Sequence, residues 1–106
     1  MKTRLAALLA ASLSFVHAHP GFAADPAAGK AKSAICATCH GKNGIGTAPN
    51  FPNLAGQKSQ YMVQQLKLFR SGERKSELMN IVAQPLSDQD IDNLSAYYES
   101  LPPGGS

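Results

Sequence analysis

Cys36-Ala37-Thr38-Cys39-His40 decides how this chain is read. Two thiols three positions apart face the same way on a helical turn, and the next residue adds an imidazole beside them. This is the CxxCH pattern of covalent c-type haem attachment, in which both thiols reach the vinyl groups of one porphyrin and the histidine reaches the iron. Other uses of the cysteines compete. A thioredoxin-like dithiol belongs on a βαβ framework, and no β-alternating run stands out here. A structural zinc site needs about four ligands, and Cys36, Cys39 and His40 supply fewer. A plain disulfide leaves the adjacent histidine unexplained.

Outward from that pentapeptide, the punctuation is helical. Asp25-Pro26 offers a cap followed by proline at the first helical position, and the stretch from there to His40 has no breaker except Gly29, so a single first helix is expected. Residues 41–52, GKNGIGTAPNFP, are too rich in Gly, Pro and Asn for a regular ladder and read as a loop. Residues 59–71 place Met62, Leu66 and Phe69 on one helical face, with Gly72 where a helix ends. Ser87 with Asp90 nearly matches a capping box, and Ile91, Leu94, Tyr98 and Leu101 follow at helical spacing before Pro102-Pro103. The fold class is all-α.

Residues 1–23 are expected to be a cleavable signal peptide and 24–106 the domain. Lys2 and Arg4 precede the apolar run Leu5 to Val16, and small residues follow it. Cleavage after Ala23 is favoured, with Ala18 as the second acceptable site. The run is too short for a membrane span, which needs about 20 residues at about 1.5 Å each.

The formal charge of +3 shrinks to about +1 once Lys2 and Arg4 leave, because eight Lys and Arg then face seven Asp and Glu. The cations are scattered among the acids rather than gathered in a stripe, which argues against nucleic acid. The domain keeps five aromatics and thirteen Ile, Leu and Val residues. Chains this small commonly need a metal, disulfide or other staple, and a porphyrin would complete the interior.

After cleavage at Ala23, His40 is the only histidine. A bis-histidine iron is therefore excluded, and a sixth ligand has to come from Met62 or Met79. Met62 shares its helical face with Leu66 and Phe69 and reads better as packing. Met79 lies between Gly72 and the last helix, where a segment has to cross the far side of the haem.

These residues resemble class I cytochromes c, especially small single-haem bacterial periplasmic carriers and one half of the tandem two-haem kind. The likeness runs from Cys36–His40 through Gly41 and Gly44, the stretch Pro49-Asn50-Phe51-Pro52-Asn53-Leu54-Ala55-Gly56-Gln57, Tyr61, Gln65-Leu66, Gly72 and Met79 to the helix ending near Tyr98. It covers essentially the whole domain. The resemblance implies three to five short helices around one covalent haem c per chain. Cys36 and Cys39 would form the thioethers, with His40 the proximal iron ligand and Met79 the distal one. Pro52 would offer its carbonyl to the Nδ1 proton of His40. The first and last helices would cross where Gly29 lets Tyr97 or Tyr98 approach. Only one haem motif is present, so the internal electron transfer of the tandem kind is excluded.

Two filled axial positions would leave no site for substrate, so the chemistry expected is outer-sphere gain and loss of one electron by a non-enzyme. The expected setting is the periplasm, with transient redox-protein donors and acceptors. The alternative is a cytochrome subunit of a periplasmic dehydrogenase, such as a sulfide-oxidising flavoprotein. A haem sensor or peroxidase with a labile Met79 is a third class.

Overall fold

The computed structural model describes residues 23–104 together with Thr3, Ala6, Ala11 and Ser12. The expected leader thus falls almost entirely outside the described residues. Among the described residues the elements are α1 (Pro26–Lys32), α2 (Ala34–His40), α3 (Ser59–Ser71), α4 (Glu77–Ala83) and α5 (Asp88–Ser100), with no strand. None of these helices is long and apolar enough to cross a membrane.

The expected single first helix is divided at Ser33. Its N–H and its hydroxyl both turn back to the Lys30 carbonyl, at 3.1 and 2.7 Å, which tightens the chain locally. Its φ and ψ stay in the right-handed helical region, and its own carbonyl accepts from Ala37 at 2.9 Å, so α2 continues roughly where α1 stops. At the start of α1, the Asp25 carboxylate accepts from Ala27 and Ala28, as the Asp-Pro signal requires.

The core is built on α5. Ile91, Leu94, Tyr97 and Tyr98 from this helix are buried together with Met62 of α3, Ala83 of α4 and Leu86. α5 packs on α1 and α3, and α4 packs on α3. The first of these crossings is the tightest. A Cβ placed on Gly29 would overlap the Asn93 carbonyl oxygen and lie 2.8 Å from Tyr97 Cβ, so the crossing partner is Tyr97 together with the Asn93 backbone, not Tyr98.

The ends of α5 are tied to its neighbours. Ser87 and Asp90 form a full capping box, each side chain accepting the other's N–H at 3.0 Å. Arg70 of α3 donates to Asp88 at 2.6 Å and to the Leu86 carbonyl at 2.9 Å. Glu99 accepts from the Ser59 N–H at 3.0 Å, placing a carboxylate at the positive end of α3. α3 closes on Gly72, whose φ of 82° lies in the left-handed region that a side chain would resist.

Candidate haem site

α2 carries the whole CxxCH pentapeptide on its last two turns. Cys36 and Cys39 are unpaired thiols, each half-buried, and Cys36 packs against the hydrophobic core. Burial pushes the Cys36 thiol above its ordinary range, partly offset by the Tyr98 hydroxyl next to it. Among the described residues there is no group of three or more His, Cys, Asp and Glu side chains arranged for a metal ion.

His40 is 8% exposed, and its Nδ1 lies 2.8 Å from the Pro52 carbonyl oxygen. A carbonyl only accepts, so Nδ1 carries the proton and donates. In the neutral ring the lone pair is then on Nε2. The hydrogen bond expected from Pro52 is thus present, and it fixes both tautomer and ring orientation.

The loop that delivers the Pro52 carbonyl is held by bonds that sequence reasoning did not foresee. Thr47 donates to the Cys39 carbonyl through its N–H at 3.0 Å and its hydroxyl at 3.1 Å, pinning the loop to the end of α2. Asn53 Oδ1 accepts from Gly46 N–H at 2.8 Å. The N–H groups of Leu54 and Ala55 both reach the Gly44 carbonyl, at 2.7 and 3.0 Å. Together these close residues 44–55 into a small ring beneath His40. The Asn and Thr in the loop were the available signal, since both types satisfy backbone groups locally.

The two methionines are placed differently. Met62 is buried in the core at 6% exposure, as its packing role predicts. Met79 is half-buried near the start of α4, its N–H bonded to the Ser76 hydroxyl at 3.2 Å. The segment expected to cross the haem is therefore a short capped helix. Ser76-Glu77 was a readable start signal for it.

Several features fit a covalent porphyrin. Both thiols are free and lie on one side of α2, the histidine presents a bare Nε2, and Tyr98 carries a fully buried hydroxyl with no hydrogen-bond partner, beside Cys36. Burial raises the Tyr98 hydroxyl far above the ordinary phenol range, so it stays protonated as a donor. A thioether sulfur at Cys36 is a weak acceptor for it.

An all-helical fold around a CxxCH turn, with a proline carbonyl on the histidine, defines a c-type cytochrome. The cytochrome c family model matches residues 26–102, and the chain belongs to that family. Cytochrome c-554(548) of Halomonas halodenitrificans is 47% identical over 81 residues, covering 74% of this chain and 98% of that protein. The structure of reduced recombinant cytochrome c4 from Pseudomonas stutzeri superposes with a TM-score of 0.72 at 40% identity, covering 76% of this chain and 47% of that one. A thiosulfate dehydrogenase electron acceptor of Thiomonas intermedia is 40% identical over 80 residues, covering 74% of this chain and 37% of that protein. The chain thus spans less than half of these last two relatives. As a cytochrome c it carries covalent c-type haem and serves electron transport.

Proposed function

We propose that this chain is a periplasmic one-electron carrier whose single haem is joined to Cys36 and Cys39 and ligated by His40 and Met79. The observation that carries the reading is the bond from His40 Nδ1 to the Pro52 carbonyl, which leaves Nε2 directed to one task, metal ligation. Haem supplies a reversible ferric–ferrous couple when bound.

The chain's own residues do the rest. The thioethers keep the group on the protein, and His40 is held in one orientation by a closed loop. A thioether on the far side favours the ferrous state, and burial disfavours the extra ferric charge; both raise the potential relative to a bis-histidine haem. With His40 and Met79 both holding the iron, no coordination position would be left for a substrate, so the chain would act as a carrier rather than an enzyme. Export through residues 1–23 would deliver it to the compartment where c-type haem is attached.

The test is a redox titration of the purified protein followed by carbon monoxide. A reversible one-electron couple with no carbon monoxide binding to the ferrous form in the absence of denaturant supports the reading. Ready binding would instead favour a sensor or peroxidase with a labile Met79.

A dehydrogenase subunit is the second reading, favoured by the likeness to a thiosulfate dehydrogenase electron acceptor. Gel filtration of the native protein separates the two, because a stable larger complex eliminates the free shuttle.

A further inference from the structure

α4 has only seven residues, far below the roughly 12–15 at which an isolated helix is even marginal in water. Within the polypeptide its one buried residue is Ala83, so polar ties add substantially to its hold on α3.

Those ties converge on Asn80, the residue after Met79. Its Nδ2 donates to the Phe69 carbonyl and to the Arg74 carbonyl, both at 2.8 Å. Its Oδ1 accepts from the Ser76 N–H, also at 2.8 Å. One carboxamide thus satisfies a carbonyl at the end of α3, a carbonyl in the intervening turn and the N–H at the cap of α4. The turn it grips is stiffened from outside, with the Arg74 guanidinium 4.5 Å from the Phe69 ring centroid and bonded to Gln65 at 2.7 Å.

We propose that Asn80 is a positioning residue for Met79: its carboxamide clamps α4 to the end of α3 and thereby keeps the Met79 sulfur on the iron when a competing ligand is offered. The inference rests on the reading of Met79 as the distal ligand. A thioether is a weak donor, so the closed state of the clamp has to hold it there. Each bond removed shifts the balance between closed and opened α4 by about severalfold, and losing both donated bonds shifts it by about tenfold or more.

The experiment uses the haem-loaded ferric protein and exogenous imidazole as the probe. Asn80→Ala removes all of the ties, and Asn80→Asp keeps the acceptor while removing both donors, so it carries the test if Asn80→Ala fails to fold. The expected result is a tenfold or greater gain in imidazole affinity. The sulfur-to-iron charge-transfer absorption should also disappear at lower guanidinium than the helical circular dichroism. Imidazole affinity equal to wild type, with both signals lost together, would overturn the proposal. Met79→Ala run alongside tests the underlying ligand assignment separately: if the charge-transfer band survives in it, the assignment fails irrespective of Asn80.

Discussion

Gly29 of α1 lies so close to α5 that any side chain there would overlap the Asn93 carbonyl and press on Tyr97 Cβ. Glycine inside a helix is unfavourable by about 0.5–1 kcal/mol relative to alanine, so its presence is explained by this contact. Gly29→Ala should destabilise the protein by about 1–3 kcal/mol, and Gly29→Val by more, because backbone rather than a flexible side chain stands in the way. Guanidinium unfolding checks this; an alanine variant as stable as wild type would mean that the helices cross more loosely.

Asn53 closes the loop that brings the Pro52 carbonyl to His40, through its bond to Gly46. Asn53→Ala should loosen that loop and weaken the Nδ1 hydrogen bond. A less polarised imidazole is a poorer donor to ferric iron, so the potential should rise. The expected shift is on the order of 20–50 mV, within the roughly 59 mV that corresponds to a tenfold change for one electron. Redox titration of the variant beside wild type measures it.

Acid should weaken the ends of α5 and the start of α3. The Arg70 guanidinium holds Asp88 below the usual carboxylate range, the Ser87 N–H does the same for Asp90, and the Ser59 hydroxyl and N–H do so for Glu99. For groups with lowered folded-state values, the stabilisation is fully present above the unfolded value and is lost as pH falls through the folded one. Stability should thus be flat above about pH 5 and decline below about pH 4, modestly because Asp88 and Glu99 face solvent and Asp90 is only half-buried. Thermal melts across that range test it. Ser87→Ala should cost about 1 kcal/mol at neutral pH, yet leave most of Asp90's share of the acid dependence in place, because the backbone N–H that lowers Asp90 remains.

The interior should not hold without its porphyrin. The buried apolar cluster consists of Met62, Ala83, Leu86, Ile91, Leu94, Tyr97 and Tyr98, with α1 and α2 contributing to it only through half-buried Cys36. A chain expressed without haem-ligation machinery is expected to show little helical circular dichroism and no cooperative melt. A cooperative helical apoprotein would contradict this.

What could be read in advance followed the range of the forces involved. α3 and α5 were legible because each carries an apolar stripe and a clear terminal signal: Gly72 for one, Ser87 with Asp90 for the other. The break at Ser33 was not, since serine stays within helical geometry and merely bonds its hydroxyl back to Lys30. Nor was α4 beyond its Ser76-Glu77 start, since its exposed Leu78 and Ile81 disguise its amphipathic pattern. The CxxCH motif was visible because it is local, and the Pro52 bond was expected only through family resemblance. The parts that deliver that bond, Thr47, Asn53 and Gly44, act through bonds to backbone groups elsewhere in the same irregular loop or at the end of α2, which no periodicity records. The choice of Tyr97 over Tyr98 depended on the rotation of α5, one residue finer than sequence spacing resolves.

The ligand set is tested most directly by the ferric absorption spectrum of Met79→Ala recorded beside Met62→Ala and wild type. The sulfur-to-iron charge-transfer band should be present in wild type, retained in Met62→Ala and absent from Met79→Ala, with a fall in potential in that variant. A band that survives the loss of Met79, or vanishes with Met62, would contradict the account.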